Sequence, residues 1–384
     1  MKSMDEELVS KRPKAKASEP STDAPRDIPR IQRAHLTFEE AIVQHEVLER
    51  AVAAERSHLK EIASQIAVNR IKRVLIAGCG DSWYVGIGVR LGLEYLLSVP
   101  VEPVQALDYA LYYGSVPATD CLAIGISSGG NTPAVIQALR TASNAGALTV
   151  AVSNQADAPV FDFANFRIFV RASRRGWPTQ SSTATMAILL AFGLELAIQL
   201  ATRPKQELEA FESRLNNLPE LMDKTLQMCR KPVEDLAQQL AYVRFLFFCG
   251  GGPHLATAYF GAAKVKELCP IHACVIPLEE FHHYRSLKPG DPLILVAPDT
   301  ISHQRALDTV EVGRYDGGWV FALVPKDEQE IASAANGHLR LEPVEPYFAP
   351  FLYCLPLHLF AYYLALEKYN RGLGHTPAFP AEES

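Results

Sequence analysis

The sequence predicts an α/β protein made of two copies of one domain, each a mainly parallel sheet with helices on both faces. Three observations carry this expectation. Short apolar runs of strand length alternate with longer helical segments, and a turn rich in Gly, Ser, Asp or Asn follows most of the runs. That alternation is the pattern of βαβ units. The second half then repeats landmarks of the first: Val74 with Phe245, Ser127 with Pro298, Gly146 with Gly317, Asn154 with Pro325 and Asn165 with Asn336, each pair 171 residues apart. A chance similarity would not keep register through five landmarks. Finally, 384 residues that are 48% hydrophobic and 21% charged can fill two or three packed domains.

Taken in order, residues 1–30 are rich in Lys, Glu, Pro, Ser and Asp and are expected to be a disordered tail. Residues 31–201 form the first domain. Thr37-Phe38-Glu39-Glu40 is a capping-box pattern that opens a helix over 38–66. Strands are expected at 74–77, 101–105, 122–126, 148–153 and 166–170, with a helix following the Gly78–Ser82 turn through Leu97 and another over 184–200. Residues 202–240 are charged and helical and end near Lys231-Pro232; they connect the halves. The second domain, 241–384, places strands at 245–249, 293–297 and 319–324.

The stretch 122–136, LAIGISSGGNTPAVI, joins a buried strand to a helix through Ser127-Ser128-Gly129-Gly130-Asn131-Thr132. Pro133 suits the first helical turn. The free N–H groups and the dipole of a helix start attract an anion, two glycines allow close approach, and three hydroxyls can donate. No lysine sits in the loop, which excludes a triphosphate P-loop. A cradle for one phosphate monoester fits; so does a Ser/Gly-rich turn without a ligand. In the second copy this turn becomes Pro298-Asp299-Thr300-Ile301-Ser302-His303, where an aspartate would repel phosphate.

A net charge of −6 without a dense basic run in the folded part argues against nucleic acid. Seven cysteines without a CxxC pair suggest buried free thiols in a reducing cytoplasm and no structural zinc. No signal peptide and no membrane-spanning stretch are read. Gly78-Cys79-Gly80 lacks the third glycine of a dinucleotide site, and Glu280, His282 and His283 crowd one loop without the spread ligand set of zinc. No metal and no cofactor are expected.

Together, Gly78-Cys79-Gly80-Asp81-Ser82, the 127–132 turn and Thr179-Gln180-Ser181-Ser182-Thr183 resemble the SIS (sugar isomerase) domain family. The second half adds Gly261-Ala262-Ala263-Lys264-Val265-Lys266-Glu267, then Ile271-His272-Ala273 and Glu279-Glu280-Phe281-His282-His283. The resemblance covers roughly 40–370 and implies two tandem SIS domains, like the isomerase half of glucosamine-6-phosphate synthase and the phosphosugar deglycases and deaminases. It implies that Ser82, Ser127, Ser128, Thr132 and Thr179 hold a sugar phosphate. It makes Glu267 the group moving a proton between C1 and C2, and His283 the ring-opening histidine, borrowed from the neighbouring subunit of a homodimer. His282 and Glu280 are alternatives to His283 if the loop is shifted. Lys264 matches a lysine of the same helix and either pairs with a substrate anion or points to solvent. His272 reads as a packed core histidine.

Three departures stand out. Gly129 replaces the usual third serine, Phe260 replaces another helix glutamate, and the tail from Gly374 to Ser384 shows no match to the synthase's Schiff-base lysine. No glutaminase segment is read either, so a complete synthase is not expected. The preferred function is a sugar-phosphate deglycase. It cleaves a fructosamine 6-phosphate to an aldose 6-phosphate and a free amine or amino acid. The alternatives are an amino-sugar-phosphate deaminase or aldose–ketose isomerase, and a non-catalytic phosphosugar sensor.

Overall fold

The computed structural model describes residues 24, 26–114, 116 and 118–374. Of the tail expected at 1–30, residues 1–23 and 25 lie outside the described residues, as do 375–384 of the C-terminal stretch. Ten strands form two five-stranded sheets. In the first, β1 (Arg73–Gly78), β2 (Val101–Gln105), β3 (Cys121–Ile126), β4 (Leu148–Ser153) and β5 (Phe166–Phe169) lie in the order β2-β1-β3-β4-β5. In the second, β6 (Phe245–Gly250), β7 (His272–Pro277), β8 (Pro292–Val296), β9 (Trp319–Pro325) and β10 (Gly337–Leu341) lie in the matching order β7-β6-β8-β9-β10. Every pairing is parallel.

The offset seen in the sequence reappears in the bonding. Asn165 Oδ1 accepts from the N–H of Thr149 at 2.9 Å, and Asn336 Oδ1 accepts from the N–H of Val320 at 2.8 Å. Gly146 and Gly317 both turn through positive φ, +91° and +86°. Each sheet's first strand also ends in a glycine under a helix start. A Cβ on Gly78 would lie 2.6 Å from the backbone of Ser82, and one on Gly250 2.6 Å from that of His254.

The central strands β3 and β8 are buried on both faces, as the middle of a helix-covered parallel sheet is. On the face turned away from the other half, Leu75, Ala123 and Ala151 pack in one sheet and Leu293, Leu295 and Ala322 in the other. The inner faces share one core with helices α3 (Asp81–Leu97), α5 (Gln180–Leu200), α7 (His254–Leu268) and α9 (Ala349–Arg371). Contrary to expectation, α5 and α9 are long and apolar enough to cross a membrane, but 78% and 94% of their apolar windows are buried inside the fold.

Three boundaries differ from the sequence reading. The N-terminal helix begins ten residues earlier than expected, as α1 (Ile28–Ala41), capped by the Asp27 side chain on the Arg30 N–H at 2.8 Å. It breaks before α2 (Gln44–Ile66). Thr37 is therefore mid-helix, its hydroxyl bonded to Arg33 O rather than capping. The connecting helix, α6 (Lys205–Gln239), runs through Pro219 and Pro232 instead of ending there. Last, α4 (Pro133–Asn144) and α8 (His303–Tyr315) follow the two equivalent turns.

Candidate active site

At the C-terminal ends of β1 and β3 lies a cleft of about 400 Å³, bounded by the 79–82 and 126–132 turns, the loop before α5, the first turns of α5, and α7. Such a volume suits a small-molecule ligand. Crevices outside the carboxyl ends of parallel strands are where α/β sheets receive ligands.

The 127–132 turn is preorganised. Ser127 Oγ and Thr132 Oγ1 share a hydrogen bond of 2.9 Å, and the Thr132 N–H donates to Ser127 Oγ at 3.3 Å. Asn154 Nδ2 donates to Ser128 Oγ at 3.0 Å. Gly130 has φ +76°, and a Cβ there would meet the Ala158 side chain at 2.4 Å, so no other residue type fits. Gly129 is different: a Cβ would meet nothing nearer than Asn131 Oδ1 at 3.6 Å.

Of the expected anion ligands, Ser82, Ser128 and Thr132 line the cleft. Ser127 is buried and acts through Thr132. Thr179 is buried behind the wall, its hydroxyl without a hydrogen-bond partner. The residues of that segment that reach the cleft are Ser181, Ser182 and Thr185, one helical face of α5.

Glu267 enters the same cleft from α7, in the second half of the chain. Lys264, one turn earlier, is fully buried and bonds both Glu267 Oε2 and, at 2.8 Å, Asp81 Oδ2 at the start of α3. It does not point to solvent, which corrects that reading, and it is not among the residues lining the cleft. Burial opposes the Lys264 ammonium, but Asp81 and Glu267 outweigh that and raise its pKa. Burial pushes the Glu267 carboxyl up to about 7; Lys264 opposes the rise, Asp81 adds to it, and Arg174 opposes it. Such a carboxyl exchanges a proton readily near neutrality. Phe260, at the departed position, is buried with its ring 5.8 Å from that of Tyr84.

His283 stands apart from this cleft within the chain. Its side chain is 59% exposed and lies 3.6 Å from Glu279. His282 is half-buried, its Nε2 2.8 Å from Thr309 Oγ1. His272, read as a core residue, is exposed at the start of β7. Among the described residues no cluster of three metal-ligating side chains occurs. All seven cysteines are free, five of them buried, with Cys79 half-buried and Cys274 exposed.

Among the cleft residues not singled out from sequence are Asp81 and Arg174. Asp81 sits inside a motif from which only Ser82 was read. Arg174 gives no spacing signal, because the 170–179 loop reaches the cleft only through tertiary contacts. Its guanidinium has no hydrogen-bond or ion-pair partner among the described residues, whereas Arg171 pairs with Glu55 at 2.7 Å and Arg175 with Glu39 at 2.9 Å.

The equivalent turn of the second copy is filled from within. Asp299 Oδ1 accepts from the N–H groups of Ile301 at 2.9 Å and Ser302 at 3.2 Å, ahead of α8, while Oδ2 pairs with buried His254. Burial works against the Asp299 carboxylate, but His254 and those two donors hold its pKa below the usual range. The donors that would meet a phosphate are already taken.

Residues 68–194 match the family model described as SIS domain. The glutamine–fructose-6-phosphate aminotransferase (isomerizing) of Thermococcus kodakarensis is 25% identical over 341 residues, 88% of this chain and 56% of that protein. The chain thus spans little more than half the length of that curated relative. Among solved structures, the C-terminal domain of glucosamine-fructose-6-phosphate aminotransferase from Francisella tularensis superposes with TM-score 0.78 at 20% identity, over 86% of this chain and 96% of that one. The tagatose-6-phosphate ketose/aldose isomerase of Escherichia coli gives TM-score 0.70 at 19% identity, over 90% and 97%. At those identities the likeness is one of fold. Residues 68–194, which hold the first sheet and most of the cleft lining, are thus similar to the SIS domain.

Proposed function

We propose that the protein is a phosphosugar enzyme of the isomerase type, and within that class a deglycase of fructosamine 6-phosphates. The observation that carries this is the meeting of two groups in one cleft: the hydroxyl-lined turn of the first half and the Glu267 carboxylate of the second. The phosphate docks against the hydroxyls of Ser82, Ser128 and Thr132 at the start of α4, where the helix dipole favours an anion. Glu267 removes a proton from C1 to give an enaminol and returns one to C2. The resulting C1 imine takes up water and releases an aldose 6-phosphate and the free amine. Positioned proton transfer of this kind is worth roughly 10²–10⁴-fold in rate.

Lys264 supports a substrate that brings its own nitrogen. It is held as an ammonium between two carboxylates and has no lone pair to attack a keto sugar. This reading assigns ring opening to His283 of a second subunit in a homodimer with the site at its interface; the exposure of His283 outside the cleft of its own chain supports it.

The test is to incubate the protein with fructosamine 6-phosphates, glucosamine 6-phosphate and fructose 6-phosphate while measuring released amine, ammonia and aldose. Amine release from the first alone supports the deglycase. Ammonia from glucosamine 6-phosphate, or aldose from fructose 6-phosphate, replaces it with a deaminase or isomerase. Tight binding without product for all three makes the chain a sensor. Glu267→Gln is expected to bind sugar phosphate but lose turnover.

A further inference from the structure

We propose that Arg174 binds the carboxylate of an amino acid carried on C1 of the sugar phosphate, making sugar–amino acid adducts, rather than adducts of simple amines, the substrates. The inference rests on the deglycase reading and narrows it.

Arg174 is half-buried, lines the cleft, and alone among the three arginines at 171, 174 and 175 lacks an acidic partner among the described residues. A guanidinium presents five N–H donors in a rigid fork that matches a carboxylate. Leaving that fork empty inside a cleft wastes donor capacity that a ligand can fill.

Its place in the chain is fixed from both sides. The buried Glu40 carboxylate of α1 accepts from Ser173 Oγ at 3.0 Å, the Arg175 N–H at 2.8 Å and the Gly176 N–H at 3.0 Å. Thr37 Oγ1 accepts from the Trp177 N–H at 2.9 Å, and the Arg33 guanidinium lies 4.5 Å over the Trp177 ring. The backbone on which Arg174 stands is therefore ordered before any ligand arrives, which lowers the cost of binding one.

The charge of Arg174 is felt at Glu267, where it counters part of the rise in that carboxyl's pKa. Both groups line one cleft, so the guanidinium is within the same enclosure as the carboxyl that works on C1 and its substituent. The phosphate already has its own donors in the 127–132 turn. A second anion on the substituent, one bond beyond the nitrogen-bearing carbon, is what an α-amino acid supplies. No covalent step is added: Arg174 holds the carboxylate while the proton moves between C1 and C2.

The decisive comparison uses the full chain, the glycine adduct of fructose 6-phosphate, and the ethanolamine adduct, in which a hydroxymethyl group replaces the carboxylate. Wild type is expected to turn over the glycine adduct with kcat/KM about ten- to a hundredfold above the ethanolamine adduct, the worth of a charge-assisted pair. Arg174→Gln is expected to erase that preference, lowering kcat/KM for the glycine adduct at least about tenfold more than for the ethanolamine adduct, and Arg174→Lys to restore part of it. Equal kcat/KM for both adducts in wild type overturns the proposal without recourse to any variant. So does an Arg174→Gln protein that loses both adducts and fructose 6-phosphate binding alike, which would place the guanidinium on the phosphate. Release of amine from neither adduct, with fructose 6-phosphate still bound, overturns the deglycase reading and this inference with it.

Discussion

Glu267 and Gly129 give the sharpest predictions at the scale of single residues. With its pKa raised to about 7, Glu267 must lose its proton to act as a base. The kcat/KM profile is expected to rise through about pH 7 and flatten above it, and Glu267→Gln to remove that limb. The same shift has a stability consequence of opposite sense. The folded state holds the proton more tightly than an ordinary carboxyl at 4.5 does, so stability is expected to fall as pH rises between 4.5 and about 7; urea midpoints across that range measure it. Gly129 leaves room for a side chain and has no need of positive φ. Gly129→Ser is expected to fold normally and bind sugar phosphate about two- to tenfold more tightly by adding one donor, as read by calorimetry. Sequence located most of these residues because strand-end turns carry their chemistry locally. It left Lys264 open between substrate and solvent since burial between two halves is a tertiary fact, and it passed over Arg174 because nothing near that residue marks it.

Among the elements, α1 matters most to the cleft although it lies outside both sheets. Glu40 ties the 173–180 loop to it through Ser173, Arg175, Gly176 and the Gln180 amide, the last at 3.2 Å. Glu40→Ala leaves those buried donors unpaired. It is expected to lower stability on the order of 1–3 kcal/mol and weaken sugar phosphate binding further than stability alone explains, with Glu40→Gln recovering much of both; thermal unfolding and calorimetry on the same samples separate the two effects. Eight of the ten strands were legible almost residue for residue, β2 and β4 at both ends, because an apolar run bounded by Gly and polar turns fixes its own limits; β7 and β10, only partly buried, were not read. The beginning of α1 was not legible. Its basic, weakly apolar first turns read as tail, and only the packing of Ile31 and Ala34 into the shared core makes them helix.

For the whole molecule, the outward position of His283 turns the homodimer proposal into a measurable one. If His283 completes a partner's cleft, Glu267→Gln and His283→Ala chains are each inactive, yet mixed dimers regain one intact site of two. Co-refolded in equal amounts, they are expected to show about a quarter of wild-type activity, as random pairing in a twofold dimer gives; no recovery would put the histidine's role within the chain or elsewhere.

The duplication itself was visible as a 171-residue offset, and the identical strand order bears out two similar sheets. What the offset could not foretell is how the second copy came to be closed: Asp299 accepts from the N–H groups of Ile301 and Ser302 within its own turn and adds a negative charge there. The stoichiometry follows from that one carboxylate. Two pseudo-equivalent halves saturate at a single equivalent of sugar phosphate per polypeptide, and a titration against protein concentration should break at one, not two.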